Sequence, residues 1–334
     1  MTLDGVCVSH LEQADDVVLF STSIAGLQAK LNAFHAWCRS RGFMAVNRLK
    51  SLIMAFGPYP PLALSILTIG GHRLAWTATY TYVGITFTST HRYFHSPCLY
   101  GPSAYHIARY IFAPHYKTKE TKARNIAQGC FAAQAFVGPI PVWDGRMLYQ
   151  ARVDPHLTYG CEVCLDIDPA LLLPLERVQH DFFRRLLGLQ ARSLTVVLHS
   201  ETGCEPLPHR RLCLALSYLR YLSARPVHSL VYRALRAAFL LCQDGSPSWL
   251  SDLCHVIRRL RGPAAPDGIV LHGTWPIPVQ SADTALQEVA QSMRLHIQNL
   301  LDSSPKLRLL RDRKEKDKSG ALIAEVRCTN FLIT

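Results

Sequence analysis

The sequence has no long hydrophobic run, no secretory leader pattern and no disulfide framework. No apolar stretch approaches the roughly 18–20 residues that cross a bilayer, which argues against a membrane-spanning protein. The start, Met-Thr-Leu-Asp, lacks the basic and then apolar pattern of a secretory signal. The 11 cysteines follow no framework spacing, so we expect reduced thiols in an intracellular protein.

Acidic side chains are also scarce, with 24 Asp and Glu against 36 Lys and Arg and a formal net charge of +12. A surplus of this size favours a polyanionic partner, nucleic acid first and an acidic membrane surface second. With 334 residues, 49% of them hydrophobic, the chain is long enough for two or three domains with a sizeable core. No internal repeat is visible.

Two adjacent carboxylates, Asp15 and Asp16, lie between short apolar runs at 6–11 and 17–20. The runs predict a β-hairpin with both acids at or near its turn. Adjacent carboxylates repel each other unless a cation lies between them, and Mg²⁺ prefers carboxylate oxygens. Nucleotidyl transfer uses such a site, with two metal ions about 3.5–4 Å apart. A solvated turn, in which aspartate is common, is the alternative.

Residues 13–57 resemble the reverse transcriptases of LINE-type (non-LTR) retrotransposons. Six features occur in the family's order: Ala14-Asp15-Asp16-Val17-Val18-Leu19-Phe20, Trp37-Cys38, Gly42, Asn47, Lys50 and Ile53-Met54-Ala55-Phe56-Gly57. Gln13 replaces the aromatic residue that the family has before its alanine.

The resemblance implies RNA-directed DNA polymerisation in retrotransposition, with Asp15 and Asp16 as catalytic ligands of Mg²⁺. The implied partners are an RNA template and a DNA primer, or an RNA–DNA hybrid, and the implied location is the nucleus, with the cytoplasm as the alternative. Lys50 would approach the triphosphate as a general acid or charge clamp; a surface lysine is the alternative.

The family places a further metal-binding aspartate on a strand well upstream of its Ala-Asp-Asp box. Only 14 residues precede Asp15, and Asp4 lies in a turn-like Leu-Asp-Gly context that does not match that motif. We therefore expect the C-terminal part of a reverse transcriptase, beginning inside the palm and inactive alone.

Several local patterns predict the elements around this box. Residues 21–41 have helical periodicity, with serine caps before them and Gly42 after them. Gly-Gly within residues 66–74 predicts a hairpin turn. Residues 80–87 resemble the family's primer-grip strand, in which Gly84 would let the primer backbone come close; a bulge glycine is the alternative.

Residues 89–111 contain prolines and scattered aromatic side chains without a period, which predicts an insertion or a long loop. Basic residues then lead into an Ala-rich helical pattern over 123–137. The basic cluster comprises His115, Lys117, Lys119, Lys122 and Arg124. Its spacing suits sequence-independent phosphate contacts, and an ordinary charged helix face is the alternative.

The resemblance resumes within residues 148–163 and at 201–203, in the helical region that follows the family's palm. Asp168-Pro169 predicts the start of a helix with an apolar core-facing side and Gly188 after its end. The other side of this helix carries Arg177, His180, Arg184 and Arg185. It is a candidate thumb helix along a duplex, or an amphipathic helix with a solvated basic face.

Cys161 and Cys164 have zinc-ligand spacing without a second pair nearby, which favours buried thiols over a metal site. The basic tail at 306–318 would bind RNA or remain solvated.

The sequence predicts an α+β fold in five segments: a partial palm over 1–88, an insertion over 89–111, a helical thumb and connection region over 112–261, a Pro/Gly-rich linker over 262–283 and a basic helical tail over 284–334. Two other functions stay open. One is a nucleic-acid-binding remnant without catalysis, and the other is a helical protein-interaction scaffold that needs no salt-sensitive binding.

Overall fold

The computed structural model describes residues 2–42, 44–56, 66–90, 104–132, 134–261 and 275–308. They form a mixed α+β fold that is mainly helical. The strands are β1 (Thr2–Leu3), β2 (Val6–Cys7), β3 (His10–Gln13), β4 (Asp16–Leu19), β5 (Leu52–Ile53), β6 (Thr68–Ile69), β7 (His72–Arg73), β8 (Ala75–Trp76), β9 (Thr79–Tyr82) and β10 (Ile85–Thr88). They pair as β1–β2, β3–β4, β6–β7 and β9–β10, all antiparallel, and as β5–β8, which is parallel.

The helices are α1 (Ile24–Ser40), α2 (Ala104–Ala132), α3 (Gln134–Val137), α4 (Val142–Leu148), α5 (Asp154–Thr158), α6 (Pro169–Leu186), α7 (Thr195–Thr202), α8 (Leu207–Ser223), α9 (Leu230–Gln243), α10 (Trp249–Arg261) and α11 (Val279–Ser303). A π-helical turn, Tyr149–Val153, joins α4 to α5, and a 3-10 turn, Pro305–Leu307, follows α11. No helix in the described ranges is both long and apolar enough to cross a membrane.

The chain divides into two compact units. Unit 1 contains Met1–His115 and Val227–Leu240, and unit 2 contains Tyr116–Pro226 and Leu241–Thr334. Most of α9 therefore groups with the N-terminal residues, although the sequence placed it in the thumb and connection region. This grouping depends on long-range contacts such as the ion pair of Arg236 with Asp4, which local patterns do not encode.

The loop predicted over 89–111 is wrong for its last part, because α2 begins at Ala104. The helix contains an interior proline, Pro114, which obscures the helical pattern in the sequence. Residues 91–103, most of the linker and the tail from 309 onward lie outside the described residues.

The acidic hairpin and the helix after it form as predicted. In β3–β4 Gln13 pairs with Asp16, so Ala14 and Asp15 make the turn, and the first strand begins at His10 instead of residue 6. Ser23 caps α1 by accepting a hydrogen bond from the Gly26 amide at 3.1 Å.

The core of unit 1 lies between α1 and the short strands. Its buried members are Leu31, Ile53, Leu67, Ile69 and Leu74. The side-chain amide of Gln28 extends the strand pairing, because it donates to the Thr68 carbonyl at 2.8 Å and accepts from the Thr68 amide at 2.9 Å. Helix α1 is thereby held against β6, the strand that precedes the predicted Gly-Gly turn.

The prediction for Gly70-Gly71 is confirmed, and the prediction of a continuous strand through Gly84 is not. Gly70 and Gly71 form the predicted hairpin turn, with φ angles of +55° and +80°. The single strand expected over 80–87 is wrong: the chain folds back at Val83 and Gly84, both with positive φ, and Tyr82 pairs with Ile85. Consecutive positive φ angles are what a type I′ hairpin turn needs, so Gly84 is a turn residue.

Unit 2 is built on α6, α8 and α11. Asp168 caps α6, as predicted, by accepting from the Ala170 amide at 2.9 Å, and Gly188 follows the helix with a φ of +66°. The predicted core face of α6 is buried. Gln179 joins α6 to the start of α8, because its side chain donates to the Tyr149 hydroxyl at 2.9 Å and accepts from the Leu207 amide at 3.0 Å.

A buried ion pair lies at the centre of unit 2. The Arg211 Nε atom is 2.8 Å from Asp166 Oδ2, and both side chains are almost fully enclosed. Arg211 also donates to the Leu157 carbonyl at 2.6 Å, and the Tyr116 hydroxyl donates to Asp166 Oδ1 at 2.6 Å. The network thus ties α8 to α2 and to the segment that carries Asp166.

The nine cysteines in the described ranges are free thiols. Cys161 and Cys164 are buried as predicted, and burial raises the pKa of both thiols, that of Cys164 to about 12. Burial thus keeps both thiols protonated at neutral pH, as expected of cysteines packed in a core.

Candidate functional site

Asp15 and Asp16 lie at the tip of an exposed hairpin. Ala14, which precedes them, has a φ of +54°, a left-handed conformation that costs a residue with a Cβ atom about 1–2 kcal/mol. Both carboxylates are exposed, and within the described residues neither has an ion-pair or hydrogen-bond partner. The hairpin therefore presents two adjacent negative charges that no described cation neutralises.

Tyr82, at the tip of the β9–β10 hairpin, is close enough to this site to respond to its charge. Partial burial and then the negative charge of Asp16 raise the pKa of the Tyr82 hydroxyl. Two hairpin tips of unit 1, which are far apart in the sequence, thus belong to one electrostatic environment.

No third carboxylate among the described residues joins Asp15 and Asp16. Asp4 is 3.1 Å from Arg236 Nη1, and Glu12 is 3.3 Å from His10 Nε2. The described ranges contain no group of three His, Cys, Asp or Glu side chains arranged to hold a metal ion. The carboxylate oxygens of the two aspartates are suitable Mg²⁺ ligands, but two carboxylates alone do not supply all the protein ligands of a two-metal site.

Lys50 is exposed on a turn that Asn47 organises. The Asn47 Oδ1 atom accepts from the Leu49 and Lys50 amides, both at 3.1 Å, and its carbonyl accepts from the Ser51 hydroxyl at 2.8 Å. Asn47 therefore has a local structural role. The structure shows no described partner of the Lys50 side chain, so its catalytic role stays a prediction.

The basic cluster predicted at 115–124 does not form one surface. His115 is buried, and its Nδ1 atom accepts from the Thr86 amide at 3.4 Å. Arg124 is paired with Glu120, with Nε 2.9 Å from Oε1. Lys117 is exposed, but it is two positions before Lys119 and therefore about 200° away around the helix.

The remaining lysines, Lys119 and Lys122, join residues from another segment. We call Lys119, Lys122, Arg152 and His156 the basic surface; Lys122 and Arg152 are exposed, His156 is half-buried and Lys119 is buried. Burial and then the positive charges of the other three residues lower the pKa of His156. Lys119 lies over the Tyr159 ring, with Nζ 3.6 Å from the ring centroid. All the neighbouring charges that act on His156 are positive. A bound anion would reduce the repulsion between these positive charges.

The face predicted on α6 is only partly available. Arg177 and Arg185 are exposed, and the Arg185 guanidinium lies 4.4 Å from the centroid of Phe131. Arg184 pairs with Asp181 at 3.4 Å. His180 does not contribute charge, because burial lowers its pKa to about 4.

The sequence missed three residues of these sites: Tyr82, Arg152 and His156. Tyr82 precedes a Val-Gly pair, which was the available signal for a hairpin tip. Arg152 and His156 are four residues apart, one helical turn, but nothing local connects them to Lys119.

In comparisons with known proteins, no family description, curated protein or solved structure matches this chain.

Proposed function

We propose that this chain is the nucleic-acid-binding part of a reverse transcriptase of the LINE type, with Asp15 and Asp16 as two ligands of a two-metal polymerase site. The observation that carries the proposal is the β3–β4 hairpin, which exposes both carboxylates at its tip without a compensating cation among the described residues. Adjacent carboxylates in this arrangement favour a divalent cation. The family resemblance over residues 13–57 supplies the reaction class.

The proposed partner is an RNA–DNA hybrid, and the proposed place of action is the nucleus. The basic surface of unit 2 supports a polyanionic partner, because the charges that act on His156 come from Lys119, Lys122 and Arg152 and include no carboxylate. Contacts of this kind track phosphates and carry no sequence information. The contact of Gly84 with a primer backbone stays a prediction, now at a hairpin turn instead of within a strand.

A completed site would need a further metal ligand that the described residues do not provide. The purified chain should therefore bind a primed template without extending it. The test is primer extension on an RNA template with Mg²⁺ or Mn²⁺, with Asp15→Ala as the control variant. Extension by the unmodified chain that Asp15→Ala abolishes would contradict this prediction and would show a complete active site.

The second candidate is a nucleic-acid-binding protein without catalysis. The incomplete carboxylate set favours it, because the basic surface does not require Asp15 or Asp16. Under this alternative Asp15→Ala and Asp16→Ala leave hybrid affinity unchanged even when Mg²⁺ is added. Under the polymerase proposal, Mg²⁺ increases the affinity of the unmodified chain for a primed template. Asp15→Ala and Asp16→Ala each make this Mg²⁺-dependent increase in affinity smaller. Fluorescence anisotropy of a labelled primer with and without Mg²⁺ distinguishes the two functions.

A further inference from the structure

A cavity of about 140 Å³ lies in unit 1 beside the end of α1, and its lining includes none of the residues proposed above. Three of its lining side chains are basic: His35, Arg39 and Arg48. His35 and Arg39 are one helical turn apart on α1, and Arg48 comes from the turn after the helix. A water molecule takes about 30 Å³ of liquid, so the cavity has room for a tetrahedral oxyanion and its remaining hydration.

Among the residues that the structure describes, the basic side chains of this cavity have no acidic partner. The sequence contains no aspartate or glutamate between Asp16 and Glu120, and none in 227–240. The acidic residues of unit 1 are Asp4, Glu12, Asp15 and Asp16. The first two are engaged by Arg236 and His10. Within the described ranges the side chains of His35, Arg39 and Arg48 have no hydrogen-bond or ion-pair partner.

The backbone lies against the His35 ring and fixes the turn that carries Arg48. A Cβ atom added to Gly70 would be 2.6 Å from His35 Cε1, so the β6–β7 turn lies directly against the imidazole ring. The hydrogen bonds from the Leu49 and Lys50 amides to Asn47 Oδ1 fix the turn that carries Arg48. A site whose donors are positioned before binding loses less entropy when the ligand arrives.

We propose that this cavity binds a phosphate group. Guanidinium groups are the side chains best suited to phosphate, since their N–H donors match its oxygens, and a nearby imidazole adds a further donor. The group would come from inorganic phosphate, from a nucleoside triphosphate or from a nucleic-acid backbone. The inference does not depend on the proposed polymerase function, because none of these side chains belongs to the acidic hairpin or to the basic surface.

The test is a titration of the full chain, labelled with ¹³C in its histidine rings, with three probes: inorganic phosphate, a deoxynucleoside triphosphate and a short oligothymidylate without terminal phosphate. The His35 signal is identified by its loss in His35→Gln. We expect a saturable shift of this signal with at least one probe, and the tightest probe identifies the source of the phosphate.

Arg39→Gln and Arg48→Gln should each weaken that binding by on the order of tenfold, the effect of losing one charge-assisted hydrogen bond. Arg41→Gln is the matched control, because Arg41 lies two residues beyond Arg39 and stacks over Trp37, 5.6 Å from the ring centroid. The proposal is overturned if no probe shifts the His35 signal saturably, or if Arg41→Gln weakens binding as much as Arg39→Gln and Arg48→Gln.

Discussion

Replacing Arg211 with methionine should destabilise unit 2 by about 3–5 kcal/mol, the usual cost of removing one partner of a buried ion pair. The substitution leaves the carboxylate of Asp166 enclosed without its cation, and it also removes the donor to the Leu157 carbonyl. Chemical denaturation followed by helical circular dichroism measures the loss. Removing the carboxylate as well, in Arg211→Met with Asp166→Leu, should restore much of the stability, because a pair of apolar side chains avoids the isolated charge.

The control for Arg211 lies on the same helix. Arg220 pairs with Asp283 at 3.2 Å, but about half of its side chain is exposed, so Arg220→Met should cost less than about 1 kcal/mol. Equal losses for Arg211→Met and Arg220→Met would show that the buried network is not what holds α8 in unit 2.

Acid should destabilise unit 2 through its buried histidines. Burial is the main cause that lowers the pKa of His199 and of His209 to about 4. Their pKa in the unfolded chain is about 6.5, so the unfolded state binds protons first. The stability contributed by each neutral ring is complete above pH 6.5 and is lost as the pH falls towards 4, at about 1.4 kcal/mol per pH unit.

A difference measurement isolates this effect, because Asp252 acts in the opposite direction. Burial raises the pKa of Asp252 to about 6, which stabilises the folded state as the pH falls below that value. The effect is isolated by comparing the free energy of unfolding of the unmodified chain with that of His209→Leu at each pH. His209 Nδ1 is buried without a hydrogen-bond partner among the described residues, so leucine removes an unsatisfied polar atom as well as the titrating group.

As the pH falls from about 6.5 to 4.5, the unmodified chain should lose stability that His209→Leu keeps. The free energy of unfolding of His209→Leu minus that of the unmodified chain should therefore increase by about 1.4 kcal/mol for each pH unit. Urea denaturation at several pH values provides the numbers, and His228→Leu, which removes an exposed histidine, is the control. A difference for His209→Leu that stays constant over this range would contradict the burial of a neutral ring.

The local part of the structure could be predicted from the sequence. The Ser23 cap, the Gly70-Gly71 turn and the Asp168-Pro169 helix start each depend on a few neighbouring residues, and all three occur as expected. The position of Asp15 and Asp16 at a hairpin tip could be predicted for the same reason.

The errors arose where tertiary contacts or interrupted patterns decide the structure. Arg211 and Asp166 are 45 residues apart, and no local pattern pairs them. Arg152 and Lys119 act on the same histidine, His156, although the whole of α4 separates them in the chain. Lys119 itself lies over Tyr159 instead of joining Lys117. The apolar run over 80–87 predicts one continuous strand. In the structure Val83 and Gly84 form a turn that divides this run into β9 and β10.

The most direct test of nucleic-acid binding is the salt dependence of hybrid affinity. Anisotropy of a labelled RNA–DNA hybrid, measured between about 50 and 200 mM salt, should show affinity that falls steeply because bound phosphates release counterions. Lys122→Gln with Arg152→Gln should reduce the slope of log K against log salt by about 1–2. Arg124→Gln with Arg220→Gln removes the same charge from ion-paired positions and should change the slope little. A flat salt response, or equal effects of the two double variants, would contradict the account.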